Sequence, residues 1–433
     1  MAKKHKKTKA PQVNPRKQQR QQHSMSAPNP STPTPQSPHP APTANAKRSA
    51  LPSDDTLTVR FEALDTWFFR ESRPHDAVGA SELSSLFPPP MRTLIGALRT
   101  FLGEQIGLNW SDLASTQLPD FDFTATFGDS ENLGLLHCRG SWLVYQGQRL
   151  YPAPLYLMQQ DKNMARLQPG KAVYCDLGRV RLPELCAGLK GYKALDQRWL
   201  TEQGWLTCLQ GQEPDAKDII GPEQLFTPEA RLGIARDIST RAVQKSKLYQ
   251  TRHLRLQPSV AVEIEVSGIP ENIRMRLNPS AIIRLGGEGR MAAVYHEATI
   301  QPSPRINGQV CQTFSLHFVT PADFNGQLYP ANFEKTYQDG QTVWLGELAG
   351  IPFHIESAVL GKVHREGGWD MQRHQPRPVK SLIPAGSVWF CRLAQKIEWG
   401  TLLEQLHGLH IGHGTAWGRG HIALGQWHDS HYA

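Results

Sequence analysis

The stretch Leu57-Thr-Val-Arg-Phe-Glu-Ala-Leu64 alternates apolar and polar residues, which predicts a β-strand with one buried face. A loop follows, and then Phe87-Pro-Pro-Pro90 forms a rigid, extended lead that cannot lie inside a helix. From Met91 to Ile106 apolar residues recur at helical spacing, and a proline is tolerated at a helix start. The sequence therefore predicts a strand, a long loop and an amphipathic helix in this order.

The rest of the chain predicts many short strands and few helices. A helix is expected over residues 399–406, and residues 248–266 are expected to form a pair of strands. Further strands are expected at 121–127, 141–145, 231–237, 314–319, 388–392 and 421–426. Well-separated helices among many strands indicate an α+β fold with antiparallel sheets.

The first 53 residues differ in composition from the remainder. They contain ten Lys and Arg residues and no acidic residue, and they are rich in Pro and Gln. Such a segment has little to bury, so we expect residues 1–55 to be a disordered basic tail. The whole chain has a net charge of +8, so the remainder comes to 8 − 10 = −2. An RNA site outside the tail must therefore be a local patch. The tail itself either contacts phosphates or serves as a solubilising extension.

The cysteine content and hydropathy favour a cytoplasmic protein. None of the six cysteines forms a CxxC pair, which argues against a zinc ribbon and fits a reducing compartment. The basic N-terminus is followed by no apolar segment of a secretory signal, and no apolar run is long enough to span a bilayer. We expect no membrane association, no metal and no cofactor.

The most informative segment is a glycine-rich stretch, Gly412-His-Gly-Thr-Ala-Trp-Gly-Arg-Gly420. Its spacing is neither that of a Walker loop nor that of a dinucleotide fingerprint. Glycines permit positive φ and expose backbone N–H groups that can contact phosphates, while a tryptophan offers a stacking plane. The alternative is a strand connection without a ligand. The candidate RNA-binding residues here are Gly412, His413, Gly414, Trp417, Gly418, Arg419 and Gly420.

Four arginines near the predicted helix are further candidates for RNA contacts. Arg92 and Arg99 lie seven residues apart, away from the apolar stripe, and Arg70 and Arg73 come from the preceding loop. Together they could form a basic patch, although ordinary surface charge is the alternative. A second glycine cluster, residues 285–290, favours a tight turn or a β-bulge.

Histidines recur at His407, His410 and His413, but Gly408 and Gly412 interrupt any regular element that could hold a metal. A histidine could serve as a general base in an RNA-cleaving protein. The sequence shows no partner acid or nucleophile for it, so we expect no catalytic residues.

Several separated blocks resemble one family, the third RAMP-type subunit of the type III-B CRISPR effector, the Cmr complex. The resemblance covers residues 56–425 and leaves the tail and residues 160–215 unmatched. The blocks that carry it are Trp67-Phe-Phe-Arg-Glu-Ser-Arg-Pro-His75, Phe87-Pro-Pro-Pro90, Thr93-Leu-Ile-Gly-Ala-Leu-Arg99, Tyr151-Pro-Ala-Pro-Leu155, Arg231-Leu-Gly-Ile-Ala235, Lys247-Leu-Tyr249, Arg284-Leu-Gly-Gly-Glu-Gly-Arg290 and Pro384-Ala-Gly-Ser-Val388, together with the glycine-rich stretch.

The resemblance implies two ferredoxin-like, RRM-related modules with large insertions, over residues 56–245 and 246–433, with the boundary near 240–250. It also implies a non-catalytic subunit that caps the 5′ tag of the CRISPR RNA. Such a subunit bridges the large polymerase/cyclase-like subunit and the backbone RAMP subunits. The glycine-rich stretch would face the RNA, and Arg70, Arg73, Arg92 and Arg99 are candidates for contacts with the tag.

Two other functions remain open from the sequence. One is a metal-independent endoribonuclease of the same superfamily that processes repeat RNA with a histidine such as His413 or His75. The other is a protein scaffold without RNA contact.

Overall fold

The computed structural model describes residues 55–70, 82–110, 121–185, 188–236, 239–298, 300–370 and 373–428. The helices in these ranges are short except for the first one. They are α1 (Met91–Gln105), α2 (Phe123–Phe127), α3 (Glu202–Leu209), α4 (Pro222–Leu225), α5 (Glu271–Arg274) and α6 (Trp399–Leu406), with one 3-10 turn at Ala216–Asp218. No described helix is long and apolar enough to cross a membrane.

Strands make up most of the regular structure. Up to residue 236 they are β1 (Leu57–Ala63), β2 (Thr66–Trp67), β3 (Glu82–Leu83), β4 (His137–Tyr145), β5 (Gln148–Pro152), β6 (Leu157–Gln160), β7 (Asn163–Arg166), β8 (Gln168–Cys175), β9 (Gly178–Glu184), β10 (Lys193–Ala194), β11 (Trp199–Leu200), β12 (Ile219–Ile220) and β13 (Phe226–Arg236). They continue with β14 (Val243–Leu256), β15 (Val260–Ser267), β16 (Ser280–Arg284), β17 (Met291–Glu297), β18 (Val310–Phe318), β19 (Glu334–Gln338), β20 (Gln341–Leu348), β21 (Ile351–Val359), β22 (His364–Glu366), β23 (Trp369–Asp370), β24 (Gln375–Pro376), β25 (Lys380–Leu382), β26 (Val388–Glu398) and β27 (Ile422–Gln426).

The first large sheet has eight strands in the order β12-β11-β5-β4-β15-β1-β17-β16. All neighbouring strands in this order pair antiparallel. Helix α1 begins directly after Pro90, as predicted, and buries Leu94 and Leu98 in one core with Val59 and Phe61 of β1. The helical spacing of its apolar residues thus places α1 on this sheet.

The second large sheet has six strands in the order β19-β20-β21-β26-β18-β27. Its core contains Phe314, Phe353 and Trp389 from the strands and Leu402 from α6. Because β4 alternates its side chains, Leu143 joins the first core while Trp142 joins the second. The second core therefore lies on the sheet face opposite α1.

Charged side chains are buried on that same face of the first sheet. Glu263 and Glu265 of β15 are 2% and 0% exposed. Arg149 of β5 pairs with both, at 2.8 Å from Glu263 and 2.7 Å from Glu265, and its guanidinium lies 4.2 Å from the centroid of the Trp142 ring. Ion pairing of each carboxylate offsets its loss of hydration.

The remaining strands form smaller sheets. β13 and β14 form a long hairpin extended by β2 and β3, and β8 and β9 form another hairpin. The strands β6, β7 and β10 form a three-stranded sheet. Between β21 and β26, β22 pairs with β25 and β23 with β24.

Most local predictions are confirmed, and two need correction. Residues 121–127 were expected to form a strand, but α2 occupies them because the Asp122 side chain accepts a hydrogen bond from the Ala125 N–H, which caps a helix. Residues 248–266 do contain two strands, but β14 pairs with β13, whereas β15 inserts between β1 and β4. The strands therefore belong to different sheets.

The predicted module boundary near 240–250 lies at the start of β14. The strands β15, β16 and β17 that follow still belong to the first large sheet, and the second begins at Val310. The division of the chain into two modules at 245/246 stays a prediction, and the predicted tail lies outside the described residues.

Candidate nucleic-acid interface

Residues 412–420, called the glycine loop below, lead into β27. Gly412, Gly414, Gly418 and Gly420 all have positive φ, between +70° and +88°. A Cβ at Gly412 would lie 2.5 Å from the Asp323 carbonyl oxygen, and one at Gly420 would collide with the Ile411 carbonyl. The backbone thus needs glycine both for its conformation and for close approach.

The backbone of the glycine loop is hydrogen-bonded within the protein. The N–H of Cys138 on β4 donates to the Ala416 carbonyl at 2.8 Å, which attaches the loop to the first sheet. The N–H of His413 donates to the Asp323 carbonyl and that of Gly420 to the Pro321 carbonyl, both at 2.8 Å. These two N–H groups therefore donate to protein carbonyls rather than to a phosphate.

Trp417 and Arg419, two predicted RNA contacts, lie inside the protein. Trp417 is 9% exposed, and the Arg92 guanidinium lies 4.3 Å from the centroid of its ring. Arg419 is 5% exposed and pairs with Glu366 and, at 3.4 Å, with Asp323. Both side chains hold the loop in place. At its exposed tip, the His413 Nε2 lies 2.9 Å from the Asn325 Nδ2.

The two arginines of α1 contact the loop that precedes β4. Arg92 donates to the Ser130 carbonyl at 3.2 Å and lies 3.6 Å from the Glu366 carboxylate. Arg99 donates to the Asp129 carbonyl at 2.7 Å and also to the Gly128 carbonyl. Burial lowers the pKa of both guanidinium groups below the usual arginine value. These arginines are therefore bound to protein groups rather than projecting into solvent.

The loop arginines were also predicted to contribute. Arg70 is exposed and forms an isolated bridge with Ser85 ahead of α1. Arg73 lies outside the described residues, as does His75. The second glycine cluster forms a turn, as predicted, in which the Arg290 N–H donates to the Gly287 carbonyl at 3.2 Å.

The sequence reading missed the segment between β21 and β26. Residues 362–370 and 373–382, called the basic hairpin below, contain five Lys and Arg residues and two acidic residues. The nested pairs β22–β25 and β23–β24 form it. The high density of basic residues around Trp369 could have indicated this segment from the sequence. The interspersed acidic residues Glu366 and Asp370 obscured that pattern.

Ion pairs connect the basic hairpin to the glycine loop and to α1. Glu366 of the hairpin lies between Arg92 and Arg419. Lys380 of the hairpin pairs with Asp323 at 2.8 Å. Burial would raise the pKa of Asp323, but the hydrogen bond from Lys380 and the charge of Arg419 lower it overall. The Asp323 carboxylate is therefore ionised and joins the hairpin to the loop.

Arg377 makes a further connection to the loop before β4. It donates to the Ser130 carbonyl at 3.0 Å and pairs with Asp370 at 3.2 Å and with Glu131 at 3.3 Å. Arg92 and Arg377 thus converge on one carbonyl. The glycine loop, the start of α1 and the basic hairpin form one junction, which we call the ion-paired junction.

Two of the histidines flank the glycine loop without forming a metal site. The rings of His410 and His421 stack, with centroids 4.9 Å apart, and burial lowers the pKa of both. Within the described ranges, no group of three or more His, Cys, Asp or Glu side chains is arranged to hold a metal ion.

The fold and this junction define an α+β protein of antiparallel sheets in which ion pairs join the glycine loop, α1 and the basic hairpin. A family model described as CRISPR-associated protein (Cas_Cmr3) matches residues 59–427. The chain therefore belongs to the Cas_Cmr3 family and is a component of a CRISPR effector complex.

Comparison with solved structures found distant likenesses, and comparison with curated protein sequences found no match. A chain of the type III-B Cmr-beta complex bound to cognate target RNA and AMPPnP is 16% identical, with a TM-score of 0.40 over 77% of this chain and 86% of that chain. A chain of the Csm3–Csm4 subcomplex of the type III-A interference complex is 8% identical, with a TM-score of 0.35 over 79% of this chain and 98% of that chain.

Proposed function

We propose that this chain is a non-catalytic RNA-binding subunit of a type III-B CRISPR effector complex, and that it caps the 5′ tag of the CRISPR RNA. The observation that carries the proposal, beside the family, is the ion-paired junction, which attaches the basic hairpin to the rest of the protein. Four cations from three separate elements take part in its ion pairs. They are Arg92 of α1, Arg419 of the glycine loop, and Arg377 and Lys380 of the basic hairpin. Because these ion pairs fix the basic hairpin, they position the exposed cations of the hairpin for contacts with phosphates.

Two ferredoxin-like modules are part of the same proposal. In the sheet of such a β-α-β-β-α-β unit, the first strand lies between the third strand and the fourth strand. The order β4-β15-β1-β17, with α1 and α5 in the crossovers, is consistent with this arrangement. The order β21-β26-β18-β27, with α6 in the second crossover, is consistent with a second module whose first crossover contains strands.

The partners in the proposal are the CRISPR RNA, the large polymerase/cyclase-like subunit and the backbone RAMP subunit, which the chain would bridge in the cytoplasm. To test bridging, the complex is assembled from purified subunits with and without this chain. Loss of the large subunit from the RNA-bound backbone when the chain is omitted supports bridging. Retention of the large subunit argues against it.

Capping of the tag is tested by RNA binding. The affinity of guide RNA with its native 5′ tag is compared with that of a scrambled tag across a salt series, for the full chain and for a chain without residues 1–53. We expect a preference for the native tag in both chains. Equal affinities with the same steep salt dependence would reduce the binding to phosphate attraction through the tail.

Catalysis is tested separately with repeat RNA in the absence of metal. We expect no cleavage. His413 is the residue to substitute because its side chain is exposed. We expect it to be inactive because its imidazole lies beside Asn325, which is neither an acid nor a nucleophile. Site-specific cleavage that disappears in His413→Ala would replace the binding function with an endoribonuclease.

A further inference from the structure

The two faces of the basic hairpin differ in charge because its carboxylates turn inward. Glu366 has a side chain only 15% exposed, and it neutralises Arg92 and Arg419. Asp370 has a side chain only 4% exposed and pairs with Arg377. Both acidic residues of the hairpin are thus paired with arginines, Glu366 with Arg92 and Arg419 outside the hairpin and Asp370 with Arg377 within it.

The outward side keeps cations and an aromatic ring. Lys362, Arg365 and Arg373 are exposed, and Trp369 on β23 is 53% exposed. Arg365 donates to the Ser381 hydroxyl on the facing strand at 2.6 Å, which orients its guanidinium. Basic side chains around an exposed aromatic ring are the combination that single-stranded nucleic acids require, because bases stack and phosphates pair.

The hairpin is also held rigidly, which favours binding. The contacts of Glu366 with Arg419, of Lys380 with Asp323 and of Arg377 with the Ser130 carbonyl attach both of its strands to the rest of the protein. Trp369 lies opposite Pro376, whose ring restricts the facing backbone. An exposed indole on such a support loses little freedom when a base stacks on it.

We infer that the outward face of the basic hairpin binds single-stranded RNA, with a base stacked on Trp369 and phosphates at Lys362, Arg365 and Arg373. This inference rests on the proposed function and locates its RNA contact. It assigns the glycine loop to the support of the hairpin. An acidic protein surface would use the cations alone, whereas RNA also uses the indole.

The test uses the full chain and a fluorescent single-stranded RNA that carries the native 5′ tag, with the same RNA annealed to its complement as a second probe. We expect Trp369→Ala to weaken single-strand binding by roughly 5- to 150-fold, the range for one stacked base. Trp369→Phe, which keeps a ring, should recover most of the affinity. Binding of the duplex should be weak and insensitive to both changes.

The cations are tested through the salt dependence of the same binding. Replacing Lys362, Arg365 and Arg373 by alanine should reduce the slope of log K against log salt by about 2, since each phosphate contact with a single strand contributes ~0.7. The matched control removes the same charge at three exposed lysines elsewhere, Lys171, Lys190 and Lys193. A control for the aromatic ring is Tyr174→Ala, because Tyr174 is 83% exposed on the β8–β9 hairpin.

The outcomes separate this inference from the proposed function. If the unaltered chain does not bind guide RNA, the proposed function fails. If it binds with a preference for the tag while the hairpin variants, folded by circular dichroism, bind equally well, only the hairpin inference fails. If those variants bind RNA normally but lose a partner subunit on co-purification, the face is a protein interface and the inference is overturned.

Discussion

Acid should destabilise this protein through three histidines in its interior. His317, His410 and His421 are only 1%, 2% and 2% exposed. Burial lowers the pKa of His317 to about 3 and that of His410 to about 4, and it lowers the pKa of His421 well below the usual value. A nearby Arg139 lowers the pKa of His410 and His421 further. All three are neutral in the folded protein.

The sign follows from which state binds the protons. Unfolding returns each histidine to a pKa near ~6.5, so below that pH the unfolded chain takes up protons that the folded protein does not. The stabilisation is complete above pH ~6.5 and is lost as the pH falls toward the folded pKa values. Between about pH 7.5 and pH 5.5 the loss is about 1.4 kcal/mol for each histidine, or about 4 kcal/mol for the three.

Thermal unfolding measured by calorimetry across this range checks the prediction. For a body of this size, about 4 kcal/mol corresponds to a fall in Tm of about 5 °C. A His421→Asn variant should lose about 1.4 kcal/mol of the pH dependence, whatever its Tm at neutral pH, while His374→Asn at an exposed site should keep all of it. A Tm that does not change between the two pH values, or an unchanged dependence in His421→Asn, would refute the reasoning.

Three further predictions concern glycine, charge and the tail. Gly420→Ala should lower the free energy of unfolding, measured by denaturant titration, by at least about 2 kcal/mol, because the added Cβ would collide with a backbone carbonyl. Gly289 also has a positive φ but has open space around it, so Gly289→Ala should lower the free energy of unfolding by only about 1–2 kcal/mol. Arg149→Ala leaves buried Glu263 with Arg60 and buried Glu265 with Arg139 as partners, so unfolding should become easier by about 1–3 kcal/mol, and a Tm equal to that of the unaltered chain would contradict this. Deleting residues 1–53 should reduce the salt slope of RNA binding by up to about 7, since the segment has ten Lys and Arg residues, and an unchanged slope would mean that the tail makes no phosphate contacts.

The fold was predictable where its causes are local. The prolines before Met91 and the helical spacing after it determine where α1 begins, and the sequence contains both. The order of the strands was not predictable, because β15 inserts between β1 and β4 through pairs more than a hundred residues apart, such as Arg60 with Glu263. The aromatic residues of 121–127 suggest a strand, and only the cap from Asp122 indicates the helix.

The site was predictable in composition but not in the direction its side chains take. Four glycines in the glycine loop correctly indicate positive φ. That Arg419 points inward depends on Glu366 and Asp323, which lie 53 and 96 residues away. Sequence spacing alone therefore treats Arg419 and Arg365 alike, although one is buried and the other is exposed.

The direction of the carboxylates, more than the number of arginines, determines where RNA can bind. Arg231, Arg255 and Arg290 also form a dense cluster, on the first sheet's side of the chain, but Asp65 pairs with all three at 3.0 Å. Glu229 pairs with Arg231 and Arg255 as well, so two carboxylates balance most of that charge at the surface. At the basic hairpin the two carboxylates pair instead with arginines that are buried or partly buried, and the outer cations have no carboxylate of the hairpin as a partner. The protein outside the tail is close to neutral overall. A basic surface therefore remains at the hairpin because the acidic side chains of the hairpin point toward the protein rather than toward solvent.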